Sequence, residues 1–178
     1  MNVRGRRGLS LMAGLVVLLA GCAGGAEREY AVPKTVCGVP VEESAVSPLL
    51  PPGPDLIEHK DSLSKERGHC SITVNHDGVI SVTFSRVDRD YDPMDESQSY
   101  KFRNRQRVTE LPFPGRGAIG DDTIMITAKC GGGGPAYLII DVLVRKGIEA
   151  DAAPKRAEFR KFAEEYTAGA KKIIGCAV

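Results

Sequence analysis

The spacing of the cysteines constrains this chain more than any other sequence feature. Of its five cysteines, Cys22 directly follows an apolar N-terminal run, and the other four (Cys37, Cys70, Cys130 and Cys176) are at least 33 residues apart. Zinc sites and redox-active dithiols need close pairs such as C-x-x-C, and none occurs. An even set of widely spaced cysteines is typical of structural disulfides in an oxidising compartment. We therefore predict two disulfides and no metal or other cofactor.

The first 21 residues have the three zones of a secretory signal. A basic start with three arginines is followed by a 12-residue apolar run from Leu9 to Ala20, which ends in small residues before Cys22. The run is shorter than the roughly 20 apolar residues that a bilayer-spanning helix needs. Residues 1–21 are therefore predicted to be a signal peptide that is removed on export.

The end of this signal, Leu19-Ala20-Gly21-Cys22, resembles the bacterial lipobox. The resemblance implies that the Cys22 thiol carries diacylglycerol, that the peptide is cut just before it, and that fatty acids such as palmitate complete a stable anchor. An ordinary signal peptide with an incidental cysteine is the alternative. The lipobox predicts an exported protein, lipid-anchored at the outer face of the cell membrane, by either the general secretion or the twin-arginine route.

Charge restricts the partners of the mature chain. Loss of residues 1–21 removes three of the 24 basic residues and none of the 23 acidic ones, which leaves a net charge of −2. No basic stripe of a nucleic-acid-binding protein is present. The predicted partners are the membrane, through the lipid on Cys22, and an envelope protein or small ligand; nucleic acid is excluded. The sequence leaves the oligomeric state open.

Hydrophobic periodicity defines the domain. Residues 22–36 are predicted to be a flexible tether, and residues 37–178 a single disulfide-stapled domain. Its predicted elements are a short helix (Pro40 to about Ser47), a hairpin around Asn75–Gly78 (strands near 70–74 and 79–87), two further strands (122–130 and 136–145, the latter central) and a long helix (about 153–174). We therefore predict an α+β fold: an antiparallel sheet of about four to five strands, with the long C-terminal helix packed on one face.

The long helix carries an apolar stripe at helical spacing, which we expect to pack on the sheet. The stripe consists of Phe159, Phe162, Tyr166, Ala170 and Ile173, behind a predicted N-cap at Asp151 and a first-turn Pro154.

Four cysteines allow three pairings. We favour Cys37–Cys70 and Cys130–Cys176, because each bond then clips a terminal segment onto a predicted strand. Loops of 33 and 46 residues would each constrain the unfolded chain by roughly 3–4 kcal/mol on the loop-entropy model.

Three short motifs match catalytic or binding signatures but lack their context. Gly115–Gly120 reads G-x-G-x-x-G, yet no strand-to-helix junction surrounds it, so we interpret it as a glycine-rich loop. Ser62–Lys65 reads S-x-x-K without its companion motifs, which indicates a surface turn. Asp88–Asp92 resembles the start of an EF-hand loop but continues with Pro93; weak calcium binding remains the alternative to a solvated acidic loop. The surrounding connection, 88–106, is the first place where we would look for a binding surface.

Beyond the lipobox, the mature chain resembles small envelope lipoproteins of high-GC Gram-positive bacteria (actinobacteria). The resemblance lies in Cys37–Pro40, Leu49–Gly53, Gly117–Asp121 and the Phe-containing helix before Gly175-Cys176. It implies the α+β fold and carries no activity. The expected function is a membrane-anchored extracytoplasmic protein that binds a protein or small ligand without catalysis, and no catalytic residue is predicted. The alternatives are an envelope hydrolase or transferase with an unrecognised site, and a purely structural surface protein.

Overall fold

The computed structural model describes residues 27–132, 134–145 and 156–176. Two short 3-10 helices, Ser47–Leu49 and Glu96–Lys101, accompany the main elements. The main elements in chain order are β1 (Thr35–Val36), β2 (Val39–Pro40), α1 (Glu43–Val46), β3 (Leu56–Lys60), β4 (Arg67–Val74), β5 (Asp77–Val87), β6 (Gln106–Val108), β7 (Gly115–Ile119), β8 (Thr123–Lys129), β9 (Tyr137–Val144) and α2 (Arg156–Ile173).

Seven of the strands form one antiparallel sheet in the order β3-β4-β5-β9-β8-β7-β6, and β1 pairs with β2 in a separate two-stranded ribbon. β9 therefore lies at the centre of the sheet, as its apolar character on both faces predicted. The predicted strands 122–130 and 136–145 correspond to β8 and β9.

The predicted α+β class is wrong. The fold is mostly β, with seven strands in the main sheet instead of four to five. The three strands that were missed are β3, β6 and β7. The first two are edge strands with mostly charged or polar residues, and β7 is the glycine-rich segment that we interpreted as a loop. Edge strands need only a few apolar side chains, so the alternation on which strand prediction relies is weak in them.

The predicted hairpin is present, but its turn is displaced. The left-handed residues are Asn75 and His76, with φ of 49° and 66°. Gly78 already pairs with Thr73 inside β5. Two successive residues with positive φ are typical of the type I′ turn, so Asn75-His76 occupies the position expected for Asp77-Gly78.

One face of the sheet, which we call the helix face, packs against α2. Alternate residues of the four inner strands β4, β5, β8 and β9 point to it, as strand geometry requires. On α2, Phe159, Phe162, Tyr166 and Ala170 are fully buried, as predicted, but Ile173 is 50% exposed. The fully buried sheet side chains of this face include Ile72, Val82, Phe84, Ile124, Ile126, Ile140 and Val142.

The other side of the sheet, the opposite face, is covered over β7, β8 and β9 by residues 88–105, which we call the covering segment. Thr127 Oγ1 donates to the Tyr91 carbonyl at 2.7 Å. Arg116 pairs with Asp90 at 2.9 Å, and Lys101 from the second 3-10 helix pairs with Asp141 of β9. The predicted long connection therefore covers part of the sheet, and these polar contacts hold it in place. Beyond it, the opposite face is polar and partly exposed (Ser71, Thr73, Ser81, Thr83 and Ser85).

The N-terminal part of the described chain packs against the domain ahead of Cys37. The Arg28 guanidinium donates to Ser47 Oγ at 2.9 Å and to the Leu50 carbonyl at 2.6 Å, and the Tyr30 hydroxyl donates to the Pro51 carbonyl. Residues 28–36, predicted as part of the tether, therefore belong to the packed domain. Residues 22–26 lie outside the described residues.

Both predicted helices need adjustment. Pro40 belongs to strand β2, and α1 has only four residues before the 3-10 turn at Ser47–Leu49. The C-terminal helix is described from Arg156 to Ile173. The predicted cap Asp151 and Pro154 lie outside the described residues.

Candidate functional site

The main cavity in the described part of the chain is a groove beside the C-terminal end of α2, with a volume of about 710 Å³. We call it the terminal groove. Three parts of the chain form its walls: the β1–β2 turn, the β3–β4 connection and the last turn of α2. Its lining residues are Cys37, Gly38, Lys60, Asp61, Ser62, Leu63, Ser64, Arg86, Ile173 and Ile174.

The β3–β4 connection is shaped by Asp61. Its carboxylate accepts the backbone N–H of His69 at 3.1 Å and the Lys65 ammonium at 2.7 Å. These bonds hold the pKa of Asp61 below its usual range, the Lys65 hydrogen bond being the larger cause. Leu63 is buried beneath the loop and fixes it to the domain.

The disulfide pairing is the one predicted, and one of the two bonds, through Cys37, lines the groove. Cys37–Cys70 joins the β1–β2 turn to β4, with Cα atoms 5.8 Å apart. Cys37 has φ of +57°, and its N–H donates to the Glu58 carboxylate at 2.7 Å. Cys130–Cys176 joins the end of β8 to the chain after α2, with Cα atoms 4.8 Å apart. The walls of the groove are therefore covalently linked to the sheet.

A second, smaller cavity of about 30 Å³ adjoins the groove at the Cys130–Cys176 disulfide. It shares two lining residues with the groove, Arg86 of β5 and Ile174. Arg86 pairs with Leu138 in the register of β5 and β9, which places its side chain on the helix face, at the edge of the core.

Most of the charged groups of the groove are paired. Lys60 lies 2.9 Å from Glu58, and Asp61 lies 2.7 Å from Lys65. Arg86 has no carboxylate within 4.0 Å among the described residues, and its side chain donates only to the Ser64 carbonyl at 3.4 Å. Among the described residues, Arg86 is therefore the one charged lining residue without an ion-pair partner, and its side chain is half-buried.

One group of side chains has the spacing of a metal site: a ligand atom from each of Cys37, Glu58 and Cys70 lies within 4.8 Å of the others. The two sulfur atoms are bonded to each other, and zinc binds thiolates. The Glu58 carboxylate already accepts from the Cys37 N–H and pairs with Lys60. The oxidised site does not fit a metal ion.

The glycine-rich motif has a structural role. Gly115 and Gly117 belong to strand β7, and the loop that we predicted there is wrong. A Cβ on Gly115 would lie 2.6 Å from the Thr127 carbonyl oxygen, and one on Gly120 would lie 2.7 Å from the Arg103 carbonyl oxygen. Both glycines permit close approach of neighbouring backbone, which is unrelated to phosphate binding.

The other two motifs are accounted for by local contacts. In the EF-hand-like segment, Asp90 and Asp92 pair with Arg116 at 2.9 and 3.5 Å, so their carboxylates are neutralised by a cation from the sheet. In the S-x-x-K segment, Ser62 Oγ bonds Ser64 Oγ at 2.8 Å, and Lys65 is held by Asp61. This surface turn is the one predicted, but it also forms a wall of the groove.

Burial is the leading cause of the pKa shifts of four groups, which all lie outside the lining of the groove: Tyr30, Asp141, Tyr166 and Lys171. Burial raises the pKa of Asp141, an effect that Lys101 opposes. Burial, and then the charge of Glu58, raise the pKa of Tyr166. Burial lowers the pKa of Lys171, whose ammonium lies 5.3 Å from the centre of the Phe113 ring. Within the described chain these groups form no acid–base set.

Sequence reasoning placed the disulfides correctly but missed the groove. Cys22, the predicted lipidation site, lies outside the described residues. Lys60, Arg86 and Ile173 come from three distant elements, and each has the sequence context of an ordinary surface or core position. The sequence contained one signal of the groove, Ile173. It is the last member of the apolar stripe on α2, and it lies beyond Ala170, the last fully buried residue of that stripe.

The chain matches no family model, and neither the curated proteins nor the solved structures include one similar to it. None of the helices in the described residues is both long enough and apolar enough to span a bilayer.

Proposed function

We propose that this protein is an exported lipoprotein of the cell envelope, anchored through Cys22 at the outer face of the cell membrane, which binds a small ligand or a partner protein without catalysing a reaction. The binding site is the terminal groove. The signal sequence and the lipobox support the location, and two disulfides suit a protein that folds outside the cytoplasm.

The observation that carries the binding role is the groove itself. Its volume of about 710 Å³ falls within the range of small-molecule sites, which are largely apolar with a few convergent polar groups. Cys37, which lines the groove, is bonded to β4, and the chain after Ile174 is bonded to β8 through Cys130–Cys176, so the site is pre-organised and little ordering free energy is lost on binding.

The charges of the groove favour binding over catalysis. A hydrolase or transferase needs a nucleophile in hydrogen-bond reach of a base. The hydroxyls of Ser62 and Ser64 contact each other, and the neighbouring Asp61 and Lys65 pair in the exposed turn. This arrangement supports a ligand-binding site over an active site.

Metabolic labelling with an alkyne fatty acid tests the anchor. The wild type should be labelled and should fractionate with the membrane, whereas Cys22→Ala should lose both properties. Ala23→Gly, next to the cleavage site, is the matched control and should remain labelled. Equal labelling of wild type and Cys22→Ala would refute the lipid assignment.

Site-specific photo-crosslinking in intact cells tests the groove. A photoreactive amino acid at Ser64, an exposed lining residue, should give a reproducible adduct with a ligand or a protein. The control is the same amino acid at Arg67, which is exposed at the same end of the sheet but points to the opposite face. No adduct at Ser64, or equal adducts at both positions, would reject the groove as the binding site. An adduct whose mass shows a chemically converted ligand would favour the hydrolase or transferase alternative.

A further inference from the structure

We infer that the terminal groove takes an amphipathic organic monoanion, whose carboxylate pairs with Arg86 and whose apolar part lies against Ile173 and Ile174. The inference rests on the proposed function, because it names the ligand class of that site. The ligand comes from solution and not from the surface of the bilayer.

The positive end of the site is Arg86. It is half-buried and lines both cavities, and its one side-chain hydrogen bond, to the Ser64 carbonyl, is long at 3.4 Å. A guanidinium has five N–H donors in a planar fork that matches a carboxylate. Most of these donors have no partner within the described part of the chain, and they supply the contacts for a ligand.

The environment of the Arg86 guanidinium leaves room for an anion. A Cβ placed on Gly134 would lie 3.8 Å from the nearest guanidinium nitrogen, an ordinary van der Waals distance, so Gly134 borders the guanidinium without crowding it. The Ser62 and Ser64 hydroxyls in the same groove can also donate. Lys60 and Lys65 are each paired with a carboxylate, so Arg86 supplies the one uncompensated charge, and a monoanion fits better than a dianion.

The apolar end of the site is the last turn of α2. Ile173 is 50% exposed, an unusual state for a large aliphatic residue next to a core stripe, and Ile174 beside it also lines the groove. Burial of this surface by a ligand removes apolar area from water. Because the isoleucines and Arg86 line one groove, the ligand needs a charged head and an apolar body in the same molecule.

The position of the groove relative to the N-terminal chain favours a ligand from solution over a lipid head group. The N-terminal chain joins the domain beside Gly53, whose backbone carbonyl accepts from Glu29 and whose Cα faces Val74 at the far end of β4. The groove lies at the other end, where β4 begins at Arg67. An eight-residue strand separates the two ends by about 23 Å. The described residues nearest in sequence to Cys22, around Glu29, therefore lie at the end of β4 away from the groove.

Calorimetric titration of the intact lipoprotein in phosphatidylcholine nanodiscs tests the inference, with 4-phenylbutyrate as the anionic probe and 4-phenylbutyramide as its neutral isostere. Wild type should bind the carboxylate more tightly than the amide. Arg86→Gln should weaken carboxylate binding by roughly ten- to a hundredfold, as expected for a hydrogen-bonded charge pair, and leave amide binding unchanged. Arg86→Lys should retain part of the preference.

Two controls complete the design. Arg67→Gln removes the same charge at the same end of the sheet but on the opposite face, and it should bind both probes like the wild type. Ile173→Ser should weaken both probes. Nanodiscs that contain phosphatidylglycerol should leave carboxylate binding unchanged, because the inferred ligand comes from solution and the groove lies at the end of β4 away from Glu29.

The inference is overturned if wild type binds neither probe or does not distinguish them, if Arg86→Gln binds the carboxylate like wild type, or if phosphatidylglycerol competes. These failures are distinct from failure of the proposed function. A crosslinked adduct at Ser64 in cells, together with no effect of Arg86→Gln, would retain the groove as a binding site and reject the anionic ligand.

Discussion

The two faces of the central sheet are covered in different ways, although they share the same strands. In β9, Val142 points to the helix face and has no exposed surface, whereas its neighbour Asp141 points to the opposite face and pairs with Lys101. The helix face is closed by aromatic and aliphatic side chains of α2. The opposite face is closed in part by the covering segment, which forms ion pairs and single hydrogen bonds with the sheet. This face buries fewer apolar side chains, among them Met125 and Ile139.

The difference shows where the stability of the domain resides. Burial of apolar area contributes about 25 cal/mol per Å², whereas an exposed ion pair contributes about 0–1 kcal/mol. Both disulfides also lie on the side of α2. We therefore expect the helix face to determine global stability, and the covering segment to open locally without unfolding the domain.

Deletion of a core aromatic should have the largest effect. Phe162 has no exposed surface, so Phe162→Ala should lower the free energy of unfolding by about 3–5 kcal/mol, as measured by urea denaturation. The control is Tyr91→Ala on the covering segment, where the ring is 37% exposed and the cost should stay below about 1 kcal/mol. Similar costs for both would contradict the asymmetry between the faces.

Removal of the disulfide at the end of α2 should rank second. Cys130→Ser with Cys176→Ser opens a loop of 46 residues, and the double variant should lose about 2–4 kcal/mol. Hydrogen exchange should then increase first in the last turn of α2, since that turn loses its covalent attachment to β8. An unchanged denaturation midpoint would show that the bond restrains a segment already held by packing.

Two aspartates should respond to pH with opposite signs. Burial raises the pKa of Asp141 above its ordinary value of 3.8, so its ionisation opposes folding at neutral pH. The Asp121 pKa is lowered, first by a hydrogen bond from Arg156 of α2 and then by one from Asn104, so its ionisation supports folding.

Stability curves of Asp141→Asn and Asp121→Asn against pH measure this contrast. As the pH falls from 7 towards 3.8, wild type should gain stability relative to Asp141→Asn. As the pH falls further below 3.8, wild type should lose stability relative to Asp121→Asn. If wild type loses stability relative to both variants as the pH falls, the attraction of Lys101 has a larger effect on the pKa of Asp141 than burial has.

Weakening the ion pairs of the covering segment should have the smallest global effect. Arg116 is about half exposed and contacts Asp90 and Asp92, so Arg116→Gln should cost no more than about 1 kcal/mol. Amide hydrogen exchange should nevertheless become faster in residues 88–95, with exchange in β5 and β9 unchanged. Slower exchange in these residues, or a large decrease in the free energy of unfolding, would show that the segment belongs to the cooperative core.

The sequence was sufficient to predict the parts of the fold in which one periodicity dominates. The strands β4 and β5 alternate, β9 is apolar on both faces, and the helix α2 has one apolar stripe, because these elements bury side chains in a regular pattern. With the strands placed, the sequence favoured one of three cysteine pairings, and the structure has that pairing.

The remaining strands could not be predicted because the contacts that stabilise them are distant in sequence. In β7, the close approach of neighbouring strands requires glycine. A Cβ on Gly117 would lie 3.0 Å from the Val108 Cβ, and the sequence around Gly117 does not predict this contact. In β3, only Leu56 and Ile57 are apolar, since one edge of the strand is open to water. The terminal groove depends on the same kind of information, because its walls meet only in the folded chain.

The edges of the sheet have a consequence for the proposed lipid-anchored form of the protein. β3 and β6 are the outermost strands, and an outermost strand can recruit a strand from another molecule. β6 is short, with three residues. β3 carries the polar residues Glu58, His59 and Lys60 in succession, and Pro54 and Asp61 flank the strand. Short or charged edges disfavour such pairing. Lipid anchoring would crowd many copies into one plane, and these two edges would keep neighbouring copies from joining into continuous sheets.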